Sequence, residues 1–143
     1  MIHIPANIVA QIFSHAATVK LALAKEFGLN PLQFLALVLV GNEDGLSTKK
    51  LRHKLSVPGS SLTFTVDSLE KKQLIKRQRS ESDRRQWLLS LSDSGDLLYQ
   101  QIVEAEHKAI SPALDNLSEV EKAAFLRIAE EITKERGNRI WAE

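Results

Sequence analysis

Between Ser47 and Leu91 the spacing of apolar residues switches from the period of a helix to the period of a strand, and that switch restricts the fold more than any other feature. Ser47 or Thr48 can cap a short helix ending at Leu55, with Leu51 and Leu55 facing inward. Val57-Pro58-Gly59 makes a tight turn. A second helix is expected over residues 60–72, where Leu62, Val66 and Leu69 recur at i, i+4 and i+7. Leu74–Arg79 and Gln86–Leu91 then read as short extended segments joined by Ser80–Arg85, with Trp87, Leu89 and Leu91 alternating against Gln86, Leu88 and Ser90. The order is a helix-turn-helix followed at once by a two-stranded hairpin.

The flanks read as helices. Ile8, Ile12, His15, Val19 and Leu23 recur at three- and four-residue steps and predict a helix from Pro5 to Phe27, closed by Gly28. Asn30-Pro31 suits an N-cap and first helical residue. Leu32–Val40 is apolar almost all round, which fits a buried strand or a buried helix; the Asn-Pro start favours a helix in the core. Gly41–Gly45 reads as a loop. Ser92 starts a further helix with core positions Leu97, Leu98, Ile102 and Ala105, broken by Pro112. Ser118-Glu119-Val120-Glu121 is a capping box that opens a last helix to about Arg136. The expected fold is therefore mainly α with a small β-hairpin: four helices before the hairpin and two after it.

Net charge is only +1, but it is segregated. Residues 1–46 sum to −1, residues 47–91 to +7 and residues 92–143 to −5. A basic middle between acidic arms suits a module that binds a polyanion; ordinary surface solvation is the plainer alternative. The 143 residues contain no cysteine, so disulfides, thiolate metal sites and thiol-based redox sensing are excluded within them. No stretch of 18 apolar residues is present, and Met1–Ala10 lacks the pattern of a signal peptide, so a cytoplasmic location and no membrane partner are expected.

The second helix of the pair carries Ser60, Phe64, Asp67 and Ser68 on the side opposite its apolar face, flanked by Ser61 and Thr63. Short hydroxyls near a helix N-terminus can bond base edges or phosphates, and the N-terminus itself attracts phosphate; the same residues also cap helices. Ser60, Ser61, Thr63 and Phe64 are the candidates for reading DNA from this helix. Lys49, Lys50 and Arg52 on the preceding helix, and Lys76, Arg77 and Arg79 on the strands, are candidates for contacting phosphate. At the tip of the hairpin, Arg84 and Arg85 offer slim, planar, weakly hydrated guanidinium groups suited to a minor groove. Asp83 can accept hydrogen bonds from such a neighbour and brace the turn; a solvated turn is the bland reading.

Elsewhere the signals are weak. His15 lies in the apolar stripe of the first helix, which fits a satisfied interface histidine, the wall of a ligand pocket or a metal ligand. His107 has no second histidine at ligand spacing, and His3 and His53 stand alone. No metal site and no cofactor are expected. Trp87 reads as packing the hairpin, and Trp141 as a terminal anchor or a cross-subunit contact. There is no Gly-rich phosphate loop, no G-x-S-x-G and no H-E-x-x-H, so an enzyme is not expected.

The run LSVPGSSLTFTVDSLEKKQLIKRQRSESDRRQWLLSLSDSG resembles the winged-helix core of MarR-type transcriptional regulators. The matching residues are Val66-Asp67, Leu69-Glu70-Lys71-Lys72, Leu74-Ile75, Asp83-Arg84-Arg85, and Leu89-Ser90-Leu91-Ser92 with Gly95. The resemblance implies a homodimer, with a helical dimerisation region at 1–28 and 96–143 and a winged helix-turn-helix at 29–95. It implies double-stranded DNA as partner, the residue matching Arg85 in the minor groove, the residue matching Asp83 bracing it, and a small aromatic or anionic effector between the two regions. The function it implies is a sequence-specific regulator, a repressor where its site overlaps a promoter. The 23-residue first helix separately calls for a covering surface, because a chain this small has limited core. Two positions depart from the family: Phe64 stands where a basic residue is common, and Gln73 where glycine is common. Phe64 then either touches a thymine methyl, giving a site biased to A·T, or marks a module with weak DNA binding that regulates through a protein partner. Gln73 has to accept the backbone its turn requires, left-handed if that is the turn's geometry.

Overall fold

Asn30 sets the start of the central helix. Its side-chain oxygen accepts from the Gln33 amide at 2.9 Å, while the Gln33 side chain accepts from the Asn30 amide at 3.0 Å, a reciprocal cap ahead of Pro31. The computed structural model describes residues 5–134, in two units, Met1–Glu106 and His107–Glu143, whose boundary falls within the fifth helix. In the first unit, α1 (Ala6–Glu26) leads to α2 (Pro31–Asn42), β1 (Leu46–Ser47), α3 (Thr48–Leu55), α4 (Gly59–Lys71), β2 (Ile75–Arg79), β3 (Trp87–Leu91) and the start of α5 (Asp93–Leu114). The apolar run of α2 is a helix: Phe34, Ala36, Leu37 and Val40 are buried, with Leu23, Leu46, Leu51, Leu62, Val66, Leu69, Leu89 and Ile102 in the same core. The second unit contains α6 (Glu119–Thr133), capped by Ser118. There the Ser118 hydroxyl and amide both donate to the Glu121 carboxylate and hold that carboxyl below its ordinary range.

The antiparallel sheet has three strands in the order β1-β3-β2, one more than the hairpin expected from sequence. Leu46 pairs with Leu89, and Arg77 with Leu89 on the other side. A two-residue strand carries no period to detect, which is why β1 escapes a pattern reading. The α4-to-β2 junction closes as a Schellman turn: the Leu74 amide donates to the Leu69 carbonyl at 3.0 Å and the Gln73 amide to Glu70 at 2.8 Å, with Gln73 left-handed at φ 58°. Ser92 then stitches α5 to this junction, its hydroxyl donating to the Gln73 carbonyl and its amide to the Leu74 carbonyl at 3.1 Å. Gly95 makes the approach possible, since a Cβ there would lie 1.8 Å from the Leu74 carbonyl oxygen.

Two sequence expectations for α5 need correction. Leu97 is 68% exposed, because the packed face runs through Gly95, Leu98, Ile102 and Ala105 and leaves Leu97 about 100° away. Pro112 does not end the helix, which continues to Leu114; a proline in the last turn removes one donor without preventing the residues after it from staying helical. The positions of His3, Arg136 and Trp141 lie outside the described residues.

Candidate nucleic-acid interface

Three elements place the basic residues. Ser47 caps α3, its hydroxyl accepting from the Lys50 amide at 3.2 Å, so the short helix starts at Thr48 and its basic run is fixed in direction. Pro58 precedes α4 and supplies no side-chain cap, which leaves the first amides of α4 open toward an anion. The buried side of α4 is Leu62, Thr65, Val66 and Leu69; Ser60, Thr63, Phe64 and Asp67 are exposed. Thr48, Lys49, Arg52, Gly59, Leu62, Thr63, Val66, Arg77, Arg85, Gln86 and Trp87 line one groove between α3, α4 and the hairpin.

The tip of the hairpin is ordered by Asp83. One carboxylate oxygen accepts from the Arg85 amide at 3.0 Å and the other from the Gln86 side-chain amide at 3.1 Å. The Asp83 carbonyl also accepts from the Gln86 amide at 2.9 Å. The carboxylate thus holds the backbone of Arg85, whereas the sequence reading had it hold a guanidinium. Below the tip, the Arg79 guanidinium stacks over Trp87, 4.0 Å from the ring centroid, and donates to the Arg84 carbonyl at 2.6 Å. Arg84 and Arg85 themselves are exposed.

The cations expected on phosphate divide into two groups. Arg77 is spent inside the fold: it donates to Glu70 from Nε at 2.9 Å and from a terminal nitrogen, and to Asp67 at 2.7 Å. The Glu70 hydrogen bond holds its pKa above the ordinary guanidinium value, so it stays charged and paired. Arg79 is spent on Trp87 and Arg84. Lys50 pairs with Glu43 at 2.6 Å and Lys76 with Asp93 at 3.5 Å. Lys49, Arg52, Arg84 and Arg85 are exposed and, among the described residues, have no side-chain ion-pair partner. Three contacts were not anticipated from sequence: the Arg77 clamp, the Arg79–Trp87 stack, and a 2.8 Å hydrogen bond from the Gln33 side chain to the Ser68 hydroxyl that ties α2 to α4. The i, i+3 pair Asp67 and Glu70 ahead of an arginine-bearing strand was the available signal for the first. His15 is exposed on α1.

A family model described as MarR family matches residues 29–87. The HTH-type transcriptional regulator SarZ of Staphylococcus aureus (strain USA300) is 30% identical over 102 residues, 71% of this chain and 68% of its own length. The chain belongs to the MarR family. The HTH-type transcriptional repressor MdtR of Bacillus subtilis (strain 168) is 30% identical over 94 residues, covering 66% of this chain and 61% of MdtR. This chain spans about half to two thirds of the length of the curated relatives it matches. A crystal structure of NadR in complex with 4-hydroxyphenylacetate superposes with a TM-score of 0.75 at 21% identity, over 94% of this chain and 96% of that one. At that identity the likeness establishes the fold, mainly helical with a three-stranded antiparallel sheet, as for other MarR winged-helix proteins. Among the described residues no single helix is long and apolar enough to cross a membrane.

Proposed function

We propose that the protein is a homodimeric, sequence-specific DNA-binding transcriptional regulator of the MarR family. It acts as a repressor where its site overlaps a promoter. α4 enters the major groove with Ser60, Ser61, Thr63 and Phe64, and the hairpin places Arg84 and Arg85 in the minor groove. The observation that carries this reading is the groove in which Lys49 and Arg52 of α3 and Arg85 of the hairpin meet the start of α4 at Gly59 and Thr63, where no side chain caps the helix; Arg84 is exposed next to Arg85 at the hairpin tip. A duplex presents what such a surface needs: phosphates on both rims and a groove between them. Residues 1–28 and 96–143 form the dimerisation region. Ile12 and Phe13 on α1 are 62% and 68% exposed, and Leu126 and Ile132 on α6 are 61% and 73% exposed, a quantity of apolar surface that a second copy would cover. A small aromatic or anionic effector releases the DNA, with His15 as a pocket residue; the structural neighbour NadR was crystallised in complex with 4-hydroxyphenylacetate. A duplex-DNA partner fits a cytoplasmic location.

Arg85→Ala tests the reading. In a gel-shift titration it is expected to weaken binding by about 1–3 kcal/mol. Unchanged affinity would remove the hairpin from the mechanism. A second reading has one observation in its favour: Phe64 is 71% exposed at the middle of the helix that faces the groove, where an apolar protein partner would also fit. On that reading the fold regulates by binding another protein, and its affinity for duplex does not depend on salt.

A further inference from the structure

We propose that Phe64 makes α4 a reader of the C5 methyl group of pyrimidines, thymine in unmodified DNA, and that this contact rather than any guanine contact sets the half-site. The proposal rests on the DNA-binding reading and deepens it. Phe64 is the most exposed large apolar side chain on α4, at 71%, while the neighbours on its inner side, Leu62, Thr65 and Val66, are buried. It belongs to the first two turns of the helix, the part that meets base edges when a recognition helix docks. The other flank of α4, through Gly59 and Thr63, borders the groove that Lys49, Arg52 and Arg85 line. A helix with an exposed apolar ring and cations along one flank complements a surface that is anionic at its edges and carries methyl groups at its floor, which is the major groove of a duplex containing thymine.

The other groups on this face narrow the choice. α4 has no lysine or arginine before Lys71, so a bidentate contact to guanine O6 and N7 has no donor in its N-terminal half. The Thr63 hydroxyl donates to the Gly59 carbonyl at 3.0 Å, and Ser68 accepts from Gln33. Asp67 is paired with Arg77, which it shares with Glu70, so its charge is partly offset and its oxygen is engaged. What remains is the Phe64 ring with the hydroxyls of Ser60 and Ser61 beside it, and Thr63 as an acceptor only. Leu32 and Asn30 complete a shallow recess next to the ring, with Leu32 a second apolar wall. A methyl group seated there is buried between two apolar surfaces.

The test begins with selection of bound duplexes from a random pool at physiological salt. Each thymine of the selected half-site is then replaced by deoxyuridine, which removes the methyl and nothing else, and affinities are measured for the wild type, Phe64→Ala and Phe64→Leu. One thymine position is expected to lose about four-fold when its methyl is removed, the value of one buried methyl-sized group. Phe64→Ala is expected to bind the thymine and deoxyuridine duplexes alike, and Phe64→Leu to keep part of the discrimination. A 5-methylcytosine duplex should recover the wild-type preference over cytosine at that position. Phe64 is exposed, so Phe64→Ala should fold, and an unchanged salt dependence of its residual binding verifies that it still docks. The proposal is overturned if every thymine tolerates deoxyuridine without loss, if Phe64→Ala still discriminates, or if the selected half-site contains no thymine. Wild-type protein without salt-dependent affinity for any duplex is a different result, which defeats the DNA-binding reading itself.

Discussion

Gln73 holds a conformation that its side chain disfavours. The same Schellman turn ends α1, where the Leu29 amide donates to Ala24 at 2.9 Å and the Gly28 amide to Lys25 at 3.2 Å, and there the left-handed position is glycine at φ 66°. At the end of α4 the corresponding residue is Gln73 at φ 58°. A left-handed non-glycine residue costs about 1–2 kcal/mol, and glycine raises the entropy of the unfolded chain by about 0.4–1 kcal/mol in compensation. Gln73→Gly is therefore expected to stabilise the protein by about 0.5–1 kcal/mol in urea unfolding, and a destabilisation would mean that the Gln73 side chain contributes contacts. This position was legible through the family resemblance, since glycine is common where this sequence has Gln73. The fates of the Thr63 and Ser68 hydroxyls were not. Whether a hydroxyl faces a groove, its own helix or a neighbouring glutamine depends on rotamers and packing that periodicity does not carry.

Within the hairpin, the arginines have different duties despite equal charge. Arg84 and Arg85 project from the tip, while Arg79 builds the support by stacking on Trp87 and holding the Arg84 carbonyl. On the proposed function Arg79 is accordingly a positioning residue. Arg79→Lys separates this from a phosphate contact: lysine keeps the charge but not the planar fork that stacks and donates at once. Arg79→Lys is expected to weaken duplex binding about as much as Arg79→Ala, by about 1 kcal/mol, while leaving the salt dependence unchanged. Full rescue by lysine would return Arg79 to the phosphate contacts. The limits of the hairpin strands and of α3 and α4 came within a residue or two from alternation, caps and Pro58-Gly59. β1 did not, because it pairs with a segment some forty residues away and two residues show no pattern by themselves, and the Arg77 clamp left only the Asp67 and Glu70 spacing as a trace.

For the molecule as a whole, the charge count and the apolar surface of α1 make one joint prediction. The stripe read from sequence enters the core only at its C-terminal end, through Val19 and Leu23; Ile8, Ile12 and His15 remain exposed. Exposed apolar side chains on a first helix call for a partner surface, and in the proposed function a second copy supplies one. In the proposed dimer the four interface cations Lys49, Arg52, Arg84 and Arg85 become eight, and the logarithm of affinity should fall with the logarithm of salt with a slope of about −7. Ile12→Asp places a charge in the proposed interface at a residue already 62% exposed in the single chain, so the fold should survive. Sedimentation is expected to show a monomer. Its duplex affinity should drop by at least about a hundred-fold, because the second module is lost, and the slope should halve to about −3.5. A variant that stays dimeric and retains the steeper slope would move the interface away from α1. A monomer that keeps the steeper slope would mean that one subunit alone neutralises all eight phosphates, so that cations beyond Lys49, Arg52, Arg84 and Arg85, such as Lys71 and Lys72, take part.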